Sequence, residues 1–545
     1  MSDNKRDDEH SRSDSRLSRR DMLKVGMGLA TAAAINGTTA TGADAQPSPS
    51  APSALPLNQE AQRGGTLRMA LSADAEGLDP AKVSSFSSIT GFENVYSSLL
   101  RFDKDMNLVP ELAEKWEISP DNLTYTFHLR QGVKFHTGRP FIAKDVQYSL
   151  MRILDKATGS PNSWAFDAID RIETPDDATA VIILKQPYAP LLPHLAEQVA
   201  AMVPEEEVKI DGDLQKKMVG TGPFKFVEWT PGTSLKLERN PDYWEEGLPY
   251  LDGIAFQPIP DDTARSTALR TGTVDVIEYV PQKDVPILEQ DSNISLVGGL
   301  RSSYGYVGFN TARKPFDNVK VRQAFNWAVD PQEVVDVAAF GLGDPLNGGG
   351  PIPKFDWAYA AELHVYKKDL DKAKQLMKEA GYPDGFKATI KGGAQYDWII
   401  KTAESVAEQV KPLGVELEVV RQEWGLHLDE VFTKKDFDAV ALGWIGFVDP
   451  DDYMYGQFHS GQAWNYVGLN DPEVDRLLDE GRSVLDQEQR KKIYHDLQAR
   501  LLELAPYIFL YTQHQYEGLQ TYVQGFEPMV NASRKYFRQT WLKPH

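Results

Sequence analysis

The sequence predicts an α/β fold, and three observations carry that prediction. From residue 64 onward, short stretches with a period of two alternate with stretches of helical period. The alternation runs through both halves of the chain without an internal repeat. The length of 545 residues leaves room for roughly three to four domains or lobes, and a hydrophobic share of 41% supplies ordinary globular cores.

The clearest passage is 111–150, ELAEKWEISPDNLTYTFHLRQGVKFHTGRPFIAKDVQYSL. Between Thr124 and Arg130, Tyr125, Phe127 and Leu129 share one face, while Thr124, Thr126, His128 and Arg130 share the other. That is a half-buried strand. Pro120-Asp121-Asn122 before it is turn chemistry. Beyond the turn His136-Thr137-Gly138-Arg139-Pro140 the period changes. Val146, Leu150, Ile153 and Leu154 fall on one helical stripe, with Lys144, Asp145, Gln147 and Arg152 off it.

The remaining elements follow in chain order. Residues 64–71 predict a strand with Leu67, Met69 and Leu71 on one face. After the Leu78-Asp79-Pro80 turn, Val95, Leu99 and Leu100 have helical spacing and predict a helix over 94–100. The β-branched run 178–184 reads as a buried strand. Gly220-Thr221-Gly222-Pro223 suits a tight reversal. Residues 304–310 alternate, and a helix opens over 315–324. Leu370, Ala373, Leu376, Met377 and Ala380 form a stripe that Gly381 closes as a C-terminal cap. Asp471 is positioned as an N-cap with Pro472 in the first turn, ahead of Val474, Leu477 and Leu478. A short buried strand over 439–442 ends at Gly443-Trp444, before Asp449-Pro450-Asp451-Asp452. In α/β sheets, ligands gather outside such strand ends.

Composition excludes several classes. A net charge of −21 argues against a nucleic-acid partner, whose phosphates need a basic face. The absence of cysteine excludes disulfides, thiol catalysis, cysteine-based zinc sites and a lipidated cysteine. No stretch past the N-terminal region approaches 18 consecutive apolar residues, so no membrane anchor is expected. At the start, Arg19 and Arg20 precede a short Ala/Gly-rich apolar run, and Ala43-Asp44-Ala45 forms a small-x-small cleavage site. Together they predict a twin-arginine signal peptide over 1–45, then a Pro/Ser-rich disordered linker over 46–64. The product is expected to be periplasmic and not a lipoprotein.

No catalytic pattern is present: neither a phosphate-binding G-x-x-x-x-G-K-[ST], nor H-E-x-x-H, nor G-x-S-x-G. His128 and His136, eight apart across a turn, are weak evidence for a metal. Asp449, Asp451 and Asp452 lack the glycine and distal glutamate of a calcium loop. No enzyme activity, cofactor or metal is expected.

LVPELAEKW, the Pro/Asp/Asn turn and YTFHLRQGVKFHTG followed by P-F-x-A-x-DV resemble the signature segment of the family 5 extracellular solute-binding proteins. These are the dipeptide-, oligopeptide- and nickel-binding proteins of ABC importers. GTGPF at 220–224, LERNPDYW at 237–244 and the L-x-x-G-x-x-D stretch at 269–275 extend the resemblance through the chain.

The resemblance implies a periplasmic-binding-protein-like fold. Its two lobes would be joined by a two-strand hinge near 302–306 and 511–515, with an extra subdomain in the first lobe. The first lobe would comprise 65–104, the extra subdomain 105–219 and a second part 220–302. The second lobe would be 303–512, and 513–545 would return to the first. A monomer would capture a small solute in the cleft and deliver it to permease subunits.

Carried over by position, Ser84, Ser85 and Phe86 face the ligand just past the LDP turn. Trp164 and Phe166 lie in a segment that can reach the cleft, and Trp444 offers a rigid face to the solute. Trp424 and Tyr511 are further candidates. Peptide-binding members hold the ligand's ammonium with an aspartate shortly after that tryptophan. Here Phe447 stands nearest that position, which leaves Asp449 or Asp451 to compensate. A peptide-like solute is therefore expected, with an oligosaccharide or opine-like compound as the alternative. A periplasmic hydrolase and a chaperone are the readings from other classes.

Overall fold

The structure, a computed structural model, describes residues 61–445 and 449–544. Arg19, Arg20, Ala43 and Ala45 of the expected signal, residues 46–60 of the expected linker, and Phe447 lie outside the described residues.

The strand Tyr507–Gln520 organises the molecule. At 14 residues it is longer than the usual strand, because two arms of one twelve-stranded sheet meet on it. Its first part pairs antiparallel with Ser303–Phe309, which leads to Ala439–Ile445, Lys387–Gly393 and Glu416–Gln422. Its later part pairs with Ile294–Leu300 and Val276–Ile277, which lead to Thr66–Leu71 and then Gly253–Pro258. A separate antiparallel sheet joins Ala113–Ile118, Thr124–Leu129, Thr179–Leu184 and Ile169–Asp176. The helix Ala143–Leu154 packs on it.

Each arm and the small sheet have their own hydrophobic core. Phe309, Phe325, Val440 and Leu501 belong to one, Phe127, Leu150, Ile182 and Leu195 to a second, and Leu67, Phe92, Ile254 and Phe537 to a third. Among the described residues no helix is long and apolar enough to cross a membrane.

Local expectations hold where the chemistry is local. Tyr125, Phe127 and Leu129 are buried on one face of their strand, and Val146, Leu150 and Ile153 on one face of their helix. Asp471 accepts from Val474 N as an N-cap. Gly381 takes φ +89°, the left-handed region that suits a C-terminal cap. Asp145, although off the apolar stripe, is buried because it accepts two bonds from Arg139 (2.7 and 3.0 Å) and one from Ile142 N.

The helix expected over 94–100 is not there. The helix is Phe86–Phe92, and the chain beyond it is irregular until the strand that begins at Leu100. The carbonyls of Asn94 and Val95 accept from Phe224 N (3.1 Å) and Gly222 N (2.8 Å), so they are not free for a helix. The two glycines of the reversal permit this approach. A Cβ on Gly220 would lie 2.2 Å from Val95 O, and one on Gly222 would lie 2.6 Å from Val95 C.

Candidate functional site

Lys387–Gly393, Glu416–Gln422 and Ala439–Ile445 run parallel, so their C-terminal ends share one edge. Aromatic side chains collect there. Tyr396 and Trp398 follow the first strand, Trp424 follows the second, and Trp444 closes the third. Glycines at the strand ends make room for the indoles. A Cβ on Gly393 would lie 2.5 Å from the Trp424 ring, and one on Gly443 would lie 2.6 Å from Trp398. Trp424 packs edge-on to Tyr396 at 5.0 Å, and Trp444 edge-on to Trp464 at 5.8 Å. Tyr396, Ile445 and Trp464 remain 38%, 49% and 50% exposed. A cluster of large exposed apolar groups is unusual for a surface with no partner.

Trp444 is half-buried, and its Nε1 donates to Asp452 O at 2.7 Å. The Asp452 carboxylate in turn meets His194 Nε2 at 3.2 Å. His194 lies on the short helix Leu191–Ala196 beside the small sheet, and its ring is edge-on to Trp164 at 5.2 Å. Trp164 is 46% exposed. Two tryptophans singled out from the sequence, attached to different cores, are thus linked through Asp452 and His194. The same seam carries a backbone bond from Ala189 N to Arg482 O at 2.7 Å, and the Arg482 guanidinium lies 5.4 Å from the Tyr188 ring centre.

Residues 84–86 adjoin this seam. Asn162 Nδ2 donates to Val83 O at 3.1 Å, which lays that segment beside the turn carrying Trp164. Ser84 is exposed, while Ser85 and Phe86 are half-buried at the start of Phe86–Phe92. Ser85 Oγ donates to Ser88 Oγ at 3.1 Å. Trp424 is half-buried and stacks on His427 at 5.5 Å.

Four residues expected at the cleft are instead turned inward in this structure. Asp449 is 2% exposed, and its carboxylate accepts both Arg490 bonds (2.7 and 2.9 Å) and that of Asp451 N (3.0 Å). Burial opposes its ionisation, but the Arg490 guanidinium overcomes this and holds its carboxyl below the usual range. It caps the helix Pro450–Phe458 from inside and does not face outward. Tyr511 is 1% exposed within the core, with its hydroxyl 3.3 Å from Thr402 Oγ1. Phe166 is fully buried in the core of the small sheet. Asp451 is committed likewise, to Arg482 at 2.9 Å.

His194 and Asp452 were not marked as site residues by the sequence. Asp452 offered only its place in an aspartate-rich turn, and His194 offered no local signal. His136 is internal: its Nε2 meets Gly222 O at 3.1 Å, and Gly220 N donates to its Nδ1 at 3.3 Å.

A family model described as bacterial extracellular solute-binding proteins, family 5 Middle, matches residues 107–466. The glutathione-binding protein GsiB of Pectobacterium atrosepticum is 32% identical over 474 residues, which cover 85% of this chain and 92% of that protein. Its counterpart in Salmonella typhimurium is 30% identical, covering 87% and 92%. Among solved structures, the PBP AgaA of A. tumefaciens R10 in complex with agropinic acid superposes with a TM-score of 0.77. The two are 31% identical, with 88% of this chain and 99% of that one covered. The periplasmic binding protein DppA of Helicobacter pylori, in complex with the peptide STSA, also gives 0.77 at 31% identity, covering 89% and 99%.

Proposed function

The chain belongs to the bacterial extracellular solute-binding proteins of family 5, and from that premise we propose that it captures a peptide or peptide-like solute of glutathione size between two lobes. As a member of that family it is the substrate-binding component of an ABC importer and works with permease subunits. One lobe would comprise 65–104 and 220–302 with the subdomain 105–219, and the other 303–512, with 513–545 returning to the first. The hinge would be the paired strands around 302–306 and 511–515.

The observation that supports the site is the link from Trp164 to Trp444 through His194 and Asp452. Their open faces, with Phe86, Ser84 and Ser85 beside Trp164 and with Trp424 along the strand ends, would form the solute walls. Contacts to both lobes would favour the closed form, and only that difference in affinity can drive closure. The relatives bind glutathione, agropinic acid and a peptide respectively. A second reading, an opine-like solute, draws support from the commitment of Asp449 and Asp451 to arginines, which leaves neither to hold an α-ammonium.

Native mass spectrometry of exported protein, purified without denaturant, separates the two readings by the mass retained. A peptide ladder or a glutathione-class mass supports the first, and an opine mass supports the second. Turnover of either compound would overturn both. We further propose export by the twin-arginine route as a monomer. Replacing Arg19 and Arg20 together with lysine should abolish export, and unchanged export would exclude that route.

A further inference from the structure

We propose that His194 and Asp452 form a proton-operated latch across the seam, with the imidazolium of His194 holding the two lobes together. The inference rests on the two-lobe reading above and adds a control on closure that does not require solute.

The geometry favours the doubly protonated ring. His194 Nε2 faces Asp452 Oδ1 at 3.2 Å, and Nδ1 faces Ala165 O at 3.0 Å. A carboxylate and a carbonyl only accept, so both ring nitrogens donate only when both carry a proton. With the single proton on Nε2, Nδ1 accepts from Tyr188 Oη at 3.2 Å but loses Ala165. With it on Nδ1, the carboxylate across the seam faces a lone pair. Losing a proton therefore costs either the Ala165 bond, with a neutral donor left facing Asp452, or the Asp452 bond itself, and in both cases the charged pair across the seam is lost.

The surrounding charges leave Asp452 as the partner. Asp449 and Asp451, on the same turn, are neutralised by Arg490 and Arg482. Glu197, beside His194, is buried, and burial pushes its carboxyl up to about 8, so at neutral pH it is mostly uncharged. Tyr188 is buried and neutral. Burial alone would lower the His194 pKa. The Asp452 carboxylate and Ala165 O reverse that, and the group ends above its ordinary value. The latch sits directly behind Trp444, whose Nε1 holds Asp452 O.

The sign follows. A histidine with a raised pKa in the closed form favours closure at low pH, and that contribution is lost as pH rises through the raised value. Each unit by which the closed-state pKa exceeds the open-state value changes the closed-to-open ratio about tenfold. The Ala189–Arg482 bond and the Arg482–Tyr188 contact do not titrate in this range, so they set a constant background.

Because the chain has no cysteine, Lys156→Cys with Glu488→Cys places two spin labels without competition. Both positions are exposed. Pulsed-dipolar distances on the solute-free full chain should show the closed fraction falling between pH of about 5.5 and about 8.5, a range that spans the imidazole titration. In His194→Gln the pH response should shrink to the part that Glu197, whose buried carboxyl titrates near about 8, contributes. A pH-independent distribution in the parent, or an unchanged pH response in His194→Gln, overturns the latch. Nuclear magnetic resonance titration of His194 in the unmutated chain gives an independent reading. A pKa above the ordinary value that drops in Asp452→Asn supports the latch, and a value at or below it does not. No solute enters either measurement, so their failure would leave the solute reading standing.

Discussion

The end of the strand Ala439–Ile445 and the start of the helix Pro450–Phe458 are close neighbours in sequence with opposite fates. At the strand end, Gly443 makes room for Trp398, and Ile445 beside Trp444 is half exposed. At the helix start, Asp449 and Asp451 are drawn inward by Arg490 and Arg482 and are almost fully buried. The residues whose chemistry suggests ligand binding, the carboxylates, stabilise the turn. The residues whose chemistry suggests a core, Trp444 and Ile445, stay only partly buried. Residue type therefore does not decide which side of this turn is buried. The long-range arginines do.

Asp449→Ala would leave the Arg490 guanidinium buried without its carboxylate, at about 3–5 kcal/mol of stability, read by denaturant unfolding. A loss of solute affinity at unchanged stability would instead restore Asp449 as an anchor. Trp444→Ala should leave the fold standing while weakening solute binding more than about tenfold, or about 1.4 kcal/mol, by calorimetry.

Two histidines extend the contrast to pH. His136 accepts from Gly220 N on Nδ1 and donates from Nε2 to Gly222 O, so its neutral form is already satisfied. Burial lowers its pKa to about 4. Folding stability should therefore be full above the unfolded value of about 6.5 and fall as pH drops towards 4, by up to about 1.4 kcal/mol per pH unit. His194, which faces acceptors on both sides, works in the other direction on closure. Unfolding midpoints measured across that interval should decline in the parent and flatten in His136→Gln. Smallest of all, Tyr511→Phe should cost about 1 kcal/mol for its bond to Thr402 and leave solute affinity unchanged, because its ring is internal.

What the sequence made legible was local. The alternation over 124–130 and the cap at Asp471 each depend on neighbours a few residues away. What it hid depends on distant partners. Residues 94–100 carry a helical pattern, but their carbonyls are taken by Gly222 and Phe224. Asp449 reads as a turn residue, and nothing nearby announces that Arg490 will claim it. Phe166 and Tyr511 look like aromatics available to a cleft, yet which face of a segment turns inward is settled by the sheet it joins. Trp164 and Trp444 were identified from the resemblance. The pair that joins them, His194 and Asp452, is separated by 258 positions and has no signature in a single sequence.

The account rests on the seam between Trp164 and Trp444 as the solute site. Its most direct test is calorimetric titration of the solute identified by native mass spectrometry into the parent chain, Trp164→Ala and Trp444→Ala. Each variant should retain the parent's unfolding midpoint within about 1 kcal/mol and bind more than about tenfold more weakly. Parent-like affinity in both would contradict the account and move the solute elsewhere.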